Sequence, residues 1–191
     1  EVRGAQTGVV NIAEDVRGAQ IGVVNVAEEV DGVTLGLLNI VRFGVLDLAV
    51  TVDDRGAAWA AFSHGTEALY TVYQAAVRQP DPEVDEVEYT TALGIGSRIW
   101  SGTLYLDVDL SAMVQRTVDE EADNAPTVFP SLRVSGGIQF APSFAVIGGV
   151  RFDGLLTVAG QEPRGTHDGF GFPFMGDGLE VFPHVFAGVK F

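Results

Sequence analysis

Apolar and polar residues alternate with a period of two along most of this chain, the pattern of β-strands with one apolar face. The middle shows it most plainly. Tyr89, Thr91, Leu93, Ile95 and Ile99 oppose Glu88, Thr90, Gly94, Gly96 and Arg98. After a turn at Ser101-Gly102, Leu104, Leu106, Val108, Leu110, Ala112 and Val114 are set against Tyr105, Asp107, Asp109, Ser111 and Gln115. Leu132, Val134, Ile138 and Phe140 then oppose Arg133, Ser135 and Gln139; beyond Ala141-Pro-Ser143, Phe144, Val146, Val150 and Phe152 oppose Arg151 and Asp153. Upstream, Leu46, Leu48, Val50 and Val52 share a face opposite Asp47 and Thr51, and the segment Asp53 to Gly56 turns the chain into a short strand with Trp59 and Ala61 on one face. Glu67 to Arg78 fits a helix through Leu69, Tyr73 and Ala76, but the β-rich Tyr70-Thr-Val-Tyr73 favours a strand. The last stretch puts Val181, Pro183, Val185, Ala187, Val189 and Phe191 on an apolar face and Phe182, His184, Phe186, Gly188 and Lys190 on the other.

The start obeys a second order, a 14-residue repeat that runs from Val2 to Asp15, from Val16 to Glu29 and from Val30 to Val41. Glycines fall at Gly4 and Gly8, Gly18 and Gly22, Gly32 and Gly36, and asparagines at Asn11, Asn25 and Asn39. A helix-dimer face built on G-x-x-x-G needs a long apolar helix, and none is present. This G-x-x-x-G-x-x-N pattern resembles bacterial surface-repeat proteins first noted in spirochaetes and widespread in Gram-negative envelopes. Fourteen residues suit a strand of about ten plus a turn, the length of a tilted membrane strand, so residues 1–41 are expected to form the first strands of one domain spanning 1–191. Their glycines would face inward where the wall is most curved or most closely packed. The other arrangement the period allows is a two-sided β-solenoid with one repeat per coil, for which three coils alone are marginal.

Alternation alone does not separate a membrane barrel from a soluble β-sandwich. Loop lengths do. Counting back from the terminal strand, connections alternate long and short: Gly160 to Gly178, Ala141 to Ser143, Thr117 to Pro130, Ser101-Gly102, Gln79 to Glu86, His64 to Thr66. Outer-membrane barrels have this asymmetry. The polar faces carry mixed charge, which suits a hydrogen-bonded interior: Arg98, Asp107, Asp109, Arg133, Arg151, Asp153, His184 and Lys190 are the candidate lumen-lining residues. Val181 to Phe191 resembles the closing strand of bacterial outer-membrane β-barrels, and the resemblance implies that Phe191 serves as an assembly signal. The fold class expected is therefore all-β, an antiparallel transmembrane β-barrel. Eleven strands are legible, and since bacterial single-chain barrels have even numbers, about 12 are expected.

Composition narrows the function classes. At 191 residues, with 47% hydrophobic residues but no apolar run near the roughly 18 to 20 residues of a membrane helix, the chain has no spanning helix. A net charge of −15 excludes a nucleic-acid partner. No cysteine is present, so there is no disulfide framework. Glu1 is not followed by a basic segment and an apolar stretch, so any signal peptide lies outside these residues. His64, His167 and His184 lack ligand spacing, and adjacent Ser63 and His64 point to opposite faces, so neither metal, cofactor nor enzyme activity is expected. The acidic stretches Asp81 to Glu86 and Asp119 to Asp123 read as solvated loops and lack the Ca²⁺-loop spacing. The expectation is an integral protein of the bacterial outer membrane with a structural or scaffold role. Its partners would be outer-membrane lipid and lipopolysaccharide, the barrel-assembly machinery, and other envelope proteins through the aromatic-rich loop Gly160 to Gly178. A narrow passive pore and a soluble sandwich or solenoid binding module are the alternatives.

Overall fold

The structure is a computed structural model and describes residues 1–79, 87–118, 126–156, 171–174 and 179–191. Each repeat folds as two short strands with a corner between them: β1 (Val2–Thr7) and β2 (Val10–Ile12), β3 (Asp15–Ile21) and β4 (Val24–Ala27), β5 (Glu29–Leu35) and β6 (Leu38–Val41). β1, β3 and β5 form one parallel sheet and β2, β4 and β6 another, each residue paired with its equivalent one repeat on, as in Gly4 with Gly18 and Asn11 with Asn25. The repeats are thus a three-coil stack, and the expectation that they supply the first barrel strands is corrected. The physical reason lies in what parallel stacking satisfies. Asn11 Nδ2 donates to Asn25 Oδ1 at 2.8 Å and Asn25 Nδ2 to Asn39 Oδ1 at 2.7 Å, a buried ladder that needs identical residues directly above one another. Gly18 and Gly32 have φ of +131° and +143°, and a Cβ on either would run into the backbone of the preceding coil's glycine. Gly18, Gly22, Gly32 and Gly36 thus lie against the backbone of the preceding coil, not along the barrel wall, whereas Gly4 has open space where its Cβ would be.

The remaining strands are β7 (Val45–Asp53), β8 (Ala58–Gly65), β9 (Tyr70–Arg78), β10 (Val87–Ser101), β11 (Leu104–Val118), β12 (Thr127–Ala141), β13 (Phe144–Leu156), the short β14 (Phe172–Phe174) and β15 (Leu179–Lys190). From β7 to β13 each pairs antiparallel with its neighbour, and β15 pairs with both β13 and β7, so the sheet closes into a barrel of eight strands. The expected 12 strands are therefore corrected to eight: removing the three repeat segments from the eleven legible ones leaves an even number, and the barrel closes without a further strand. A β-sandwich is ruled out by the same closure. Two boundaries also move, because β11 and β12 continue to Val118 and from Thr127, where a loop from Thr117 to Pro130 was expected. Glu67 to Leu69 belongs to the β8–β9 turn, and the strand begins at Tyr70.

The barrel has two unlike ends. Short turns link β8 to β9, β10 to β11 and β12 to β13 at one end, where Val45 and Lys190 also lie; the long connections, and the short turn from β7 to β8, are at the other. The third coil is docked on the outside of the wall near the short-turn end. His64 and Thr71 have the outward parity of β8 and β9, yet are buried, because Asn39 N–H donates to His64 Nδ1 at 3.0 Å and Asn39 Nδ2 to Thr71 Oγ1 at 3.1 Å. The Thr71 hydroxyl donates to the Gly36 carbonyl at 3.1 Å and the Tyr73 hydroxyl to the Leu37 carbonyl at 2.7 Å. The asparagine ladder of the coils thus ends on the barrel wall.

Candidate functional site: the barrel interior

Closure brings residues far apart in sequence into one charged interior. Nearest the short turns, Arg98 donates to Asp107 through Nε at 2.7 Å and Nη2 at 3.0 Å, and to Asp47 through Nη2 at 2.6 Å. Lys190 Nζ donates to the other side of this centre, Asp107 Oδ2, at 2.6 Å. Tyr105 lies under both cations, its ring centroid 4.7 Å from the Arg98 guanidinium carbon and 4.5 Å from Lys190 Nζ. The strand positions explain the convergence: Arg98 and Asp107 are paired across β10 and β11, whereas β7 and β15 bring Asp47 and Lys190 from the opposite wall of the barrel.

A second centre is built on Asp109, which is fully buried. Its Oδ2 accepts from Arg133 Nε at 2.6 Å, and its Oδ1 accepts from the Tyr70 hydroxyl. Gly96 is paired with Asp109, and a Cβ there would strike both the carboxylate and the Tyr70 ring. Only glycine leaves room for the tyrosine to cross the strand. Beside it, Gln74 Nε2 donates to Ser111 Oγ at 3.0 Å.

The third centre lies toward the long connections. Arg151 Nε donates to Asp153 at 3.1 Å and its Nη2 to Asp53 Oδ2 at 3.1 Å, while Trp59 Nε1 donates to the same Asp53 oxygen at 2.9 Å. Ser131 donates to Asp153 at 2.7 Å. His184 is buried, its Nε2 3.7 Å from Asp153 and its Nδ1 3.4 Å from Asp54. Further along, Glu88 accepts from Arg55 at 3.3 Å and from Arg78 at 3.2 Å.

All eight candidate residues read from the alternation have their side chains in these three centres: Arg98, Asp107 and Lys190 in the first, Asp109 and Arg133 in the second, Arg151, Asp153 and His184 in the third. Sequence reasoning missed Asp47, Tyr70 and Tyr105 as members, although each has the inward parity of its strand. Asp53 was hidden differently. It was read as a turn residue, and it does accept the Arg55 and Ala57 amides through Oδ1 while its Oδ2 reaches into the barrel. Ser63 and His64 are held apart, Ser63 with inward parity and His64 against the third coil. His167, both acidic stretches and most of Gly160 to Gly178 lie outside the described residues. Among the described residues, no group of three or more acidic, histidine or cysteine side chains is arranged to hold a metal ion.

Among the described residues, the ion-paired carboxylates Asp47, Asp53, Glu88, Asp107, Asp109 and Asp153 face the cations Arg55, Arg78, Arg98, Arg133, Arg151 and Lys190. These pairs join one part of the wall to another. Along the described residues the two signs are interspersed, unlike a ring of one sign along which an ion would be drawn.

No family model and no curated protein matches the sequence. Among solved structures, the chain is similar to Neisserial surface protein A, with 12% identity over 75% of this chain and 90% of that one and a TM-score of 0.47. It is also similar to the N-terminal β-barrel domain of Pseudomonas aeruginosa OprF, with 9% identity over 76% of this chain and 95% of that one and a TM-score of 0.49.

Proposed function

We propose that this protein is an integral outer-membrane β-barrel with a structural, scaffold-type role, its interior closed by ion pairs and its flank carrying the coil stack. The observation that carries the scaffold reading is the ion-paired bracing of the interior, in which each carboxylate centre joins different strands. The membrane reading rests on the outer surface: Leu46, Leu48, Leu93, Ile95, Leu106 and Leu132 are all exposed on the wall opposite the buried charges. A soluble protein rarely leaves so wide an apolar belt in water. Outer-membrane lipid, with its lipopolysaccharide, is the partner this belt suits. Planar-bilayer recording of the purified protein tests the role. No steady single-channel steps are expected; regular steps would overturn the scaffold reading in favour of a narrow pore.

Phe191 is assigned the role of an assembly signal read by the barrel-assembly machinery. Its backbone exchanges hydrogen bonds with Leu48, at 2.8 Å and 3.0 Å, which fixes the end of the closing seam. Its ring is 5.9 Å from Phe144, itself 6.5 Å from Phe140, an exposed aromatic group at the short-turn end such as marks a membrane interface. Removing one half-exposed ring costs the folded barrel no more than about 1.5 to 3 kcal/mol of burial. Deletion of Phe191 is therefore expected to lower membrane-inserted yield in cells far more than refolding stability in detergent. Normal insertion of the deletion variant would reject the signal role.

A further inference from the structure

The coil stack is amphipathic, and its docking on the barrel sets the direction of that amphipathicity. One corner of the coils presents Val9, Val23 and Leu37, flanked by Ile21 and Leu35; Val9 is 71% and Leu37 56% exposed. The opposite corner carries Glu14 and Asp15, then Glu28 and Glu29, then Arg42 and the exposed Phe43; Arg42 pairs with Glu28 at 3.3 Å and lies over the Phe43 ring. Between the corners, the sheet β2-β4-β6 turns its asparagines inward and so presents Val10, Ile12, Val24, Val26, Leu38 and Ile40 on its outer face.

The barrel contacts orient these corners. Leu37 meets Tyr73, whereas Gly36 and Asn39 meet Thr71, two residues nearer the short-turn end of β9. The apolar corner therefore points along the wall toward the barrel's middle. The equivalent corner of the third coil, Arg42 and Phe43, leads through Gly44 into Val45, the start of β7 at the short-turn rim. In the first two coils the apolar and acidic corners are thus ordered along the barrel axis in the same sense as membrane and water.

We propose that the coil stack is seated in the interfacial layer of the bilayer beside the barrel, its apolar corner on acyl chains and its acidic corner in water. This rests on the reading of the barrel as membrane-spanning. Lipid is the occupant because the wall on which the stack is docked is itself the apolar belt: whatever covers Leu46 and Leu48 on adjoining β7 continues onto the stack. An interfacial depth, rather than the hydrocarbon centre, follows from Glu14, Asp15, Glu28 and Glu29, exposed charged groups that hydrocarbon penalises and water among the headgroups accepts. The stack thus does with two parallel sheets what an amphipathic helix does in the interface plane.

The chain has no cysteine, so single labels are clean. Val23→Cys, Leu35→Cys, Glu28→Cys and, on the barrel belt, Leu106→Cys would each carry an environment-sensitive fluorophore in protein refolded into phosphatidylethanolamine and phosphatidylglycerol vesicles. Bromine on the acyl chains and aqueous iodide serve as quenchers. At Val23 and Leu35 the expected result is blue-shifted emission and several-fold stronger quenching by bromine than at Glu28, with Glu28 open to iodide. Leu35 decides the matter should the Val23 variant fail to fold. Quenching by bromine at Leu106 together with iodide access at Val23 and Leu35 would overturn the proposal and leave the barrel reading standing. Protection of Val23 and Leu35 from both quenchers would overturn it in favour of a protein cover. Absence of bromine quenching at Leu106 would overturn the membrane reading, and the proposal with it.

Discussion

Asp109→Arg is expected to destabilise the barrel more than Val108→Arg, although the two positions are adjacent and alternation alone suggests the reverse order. Val108 faces outward, 38% exposed, and an arginine near the bilayer midplane there costs about 2 to 4 kcal/mol. Asp109 is fully buried, accepts from Arg133 and Tyr70, and lies against Gly96 with no room for a longer side chain. Removing one partner of a buried ion pair costs about 3 to 5 kcal/mol, and a second guanidinium beside Arg133 adds repulsion. Asp109→Asn, which keeps the shape and loses the charge, should fall between wild type and the arginine variant. Urea midpoints followed by heat-modifiable mobility in detergent, repeated in lipid vesicles, measure the order. In vesicles a Val108 variant worse than the Asp109 variant would reverse the facing assigned to β11.

The second large effect is expected at Gly32→Ala. Its φ of +143° lies where side chains are rarely tolerated, and the added Cβ would meet the backbone of Gly18 in the coil above. Backbone strain and overpacking together amount to about 2 to 6 kcal/mol. The loss should be local, because the coils and the barrel are separate sheets joined through the third coil's contacts. Hydrogen exchange is expected to accelerate across β1 to β6, with the urea midpoint of the barrel nearly unchanged. Gly4→Ala separates the two causes, since Gly4 has φ +105° but open space where its Cβ would be, and it should show strain alone. Equal losses at Gly4 and Gly32 would reject close coil packing as the reason for the repeat glycines.

The interior ion pairs join strands that are not neighbours in the sheet. Buried ion pairs are weak contributors to net stability, since desolvation offsets most of their attraction. Their value here is geometric. Asp107 holds Arg98 and Lys190, Arg98 also holds Asp47, and these come from β11, β10, β15 and β7, so one carboxylate centre ties walls on both sides of the closing seam. The seam itself is short, with Phe186 to Lys190 of β15 paired to β7 and hydrogen bonds from Asp54 to Val185 and between Leu48 and Phe191 at its two ends, and this centre lies toward the Phe191 end. A stiff barrel presents a fixed outer wall at His64 and Thr71, on which the coil stack is docked.

The local sequence determined the period of each element. Side chains in a strand alternate whatever the strand pairs with, so the inward parity of Arg98, Asp107, Asp109, Arg133, Arg151 and Lys190, and the outward rows of β10 and β11, are legible without tertiary contacts. An antiparallel barrel with unlike ends was legible too, because turn lengths are local. Tertiary structure decided the number of strands. A 14-residue repeat of alternating residues accommodates one strand of about ten residues or two short strands around a corner, and only the stacking of Asn11 on Asn25 on Asn39, a contact between repeats, selects the second. It also decided the ion-pair partners. Arg98 and Asp47 are 51 positions apart, Lys190 and Asp107 83, Arg151 and Asp53 98. Parity puts each of these side chains on the inner face, but which of them meet depends on the curvature and shear with which eight strands close, and no single strand contains that information.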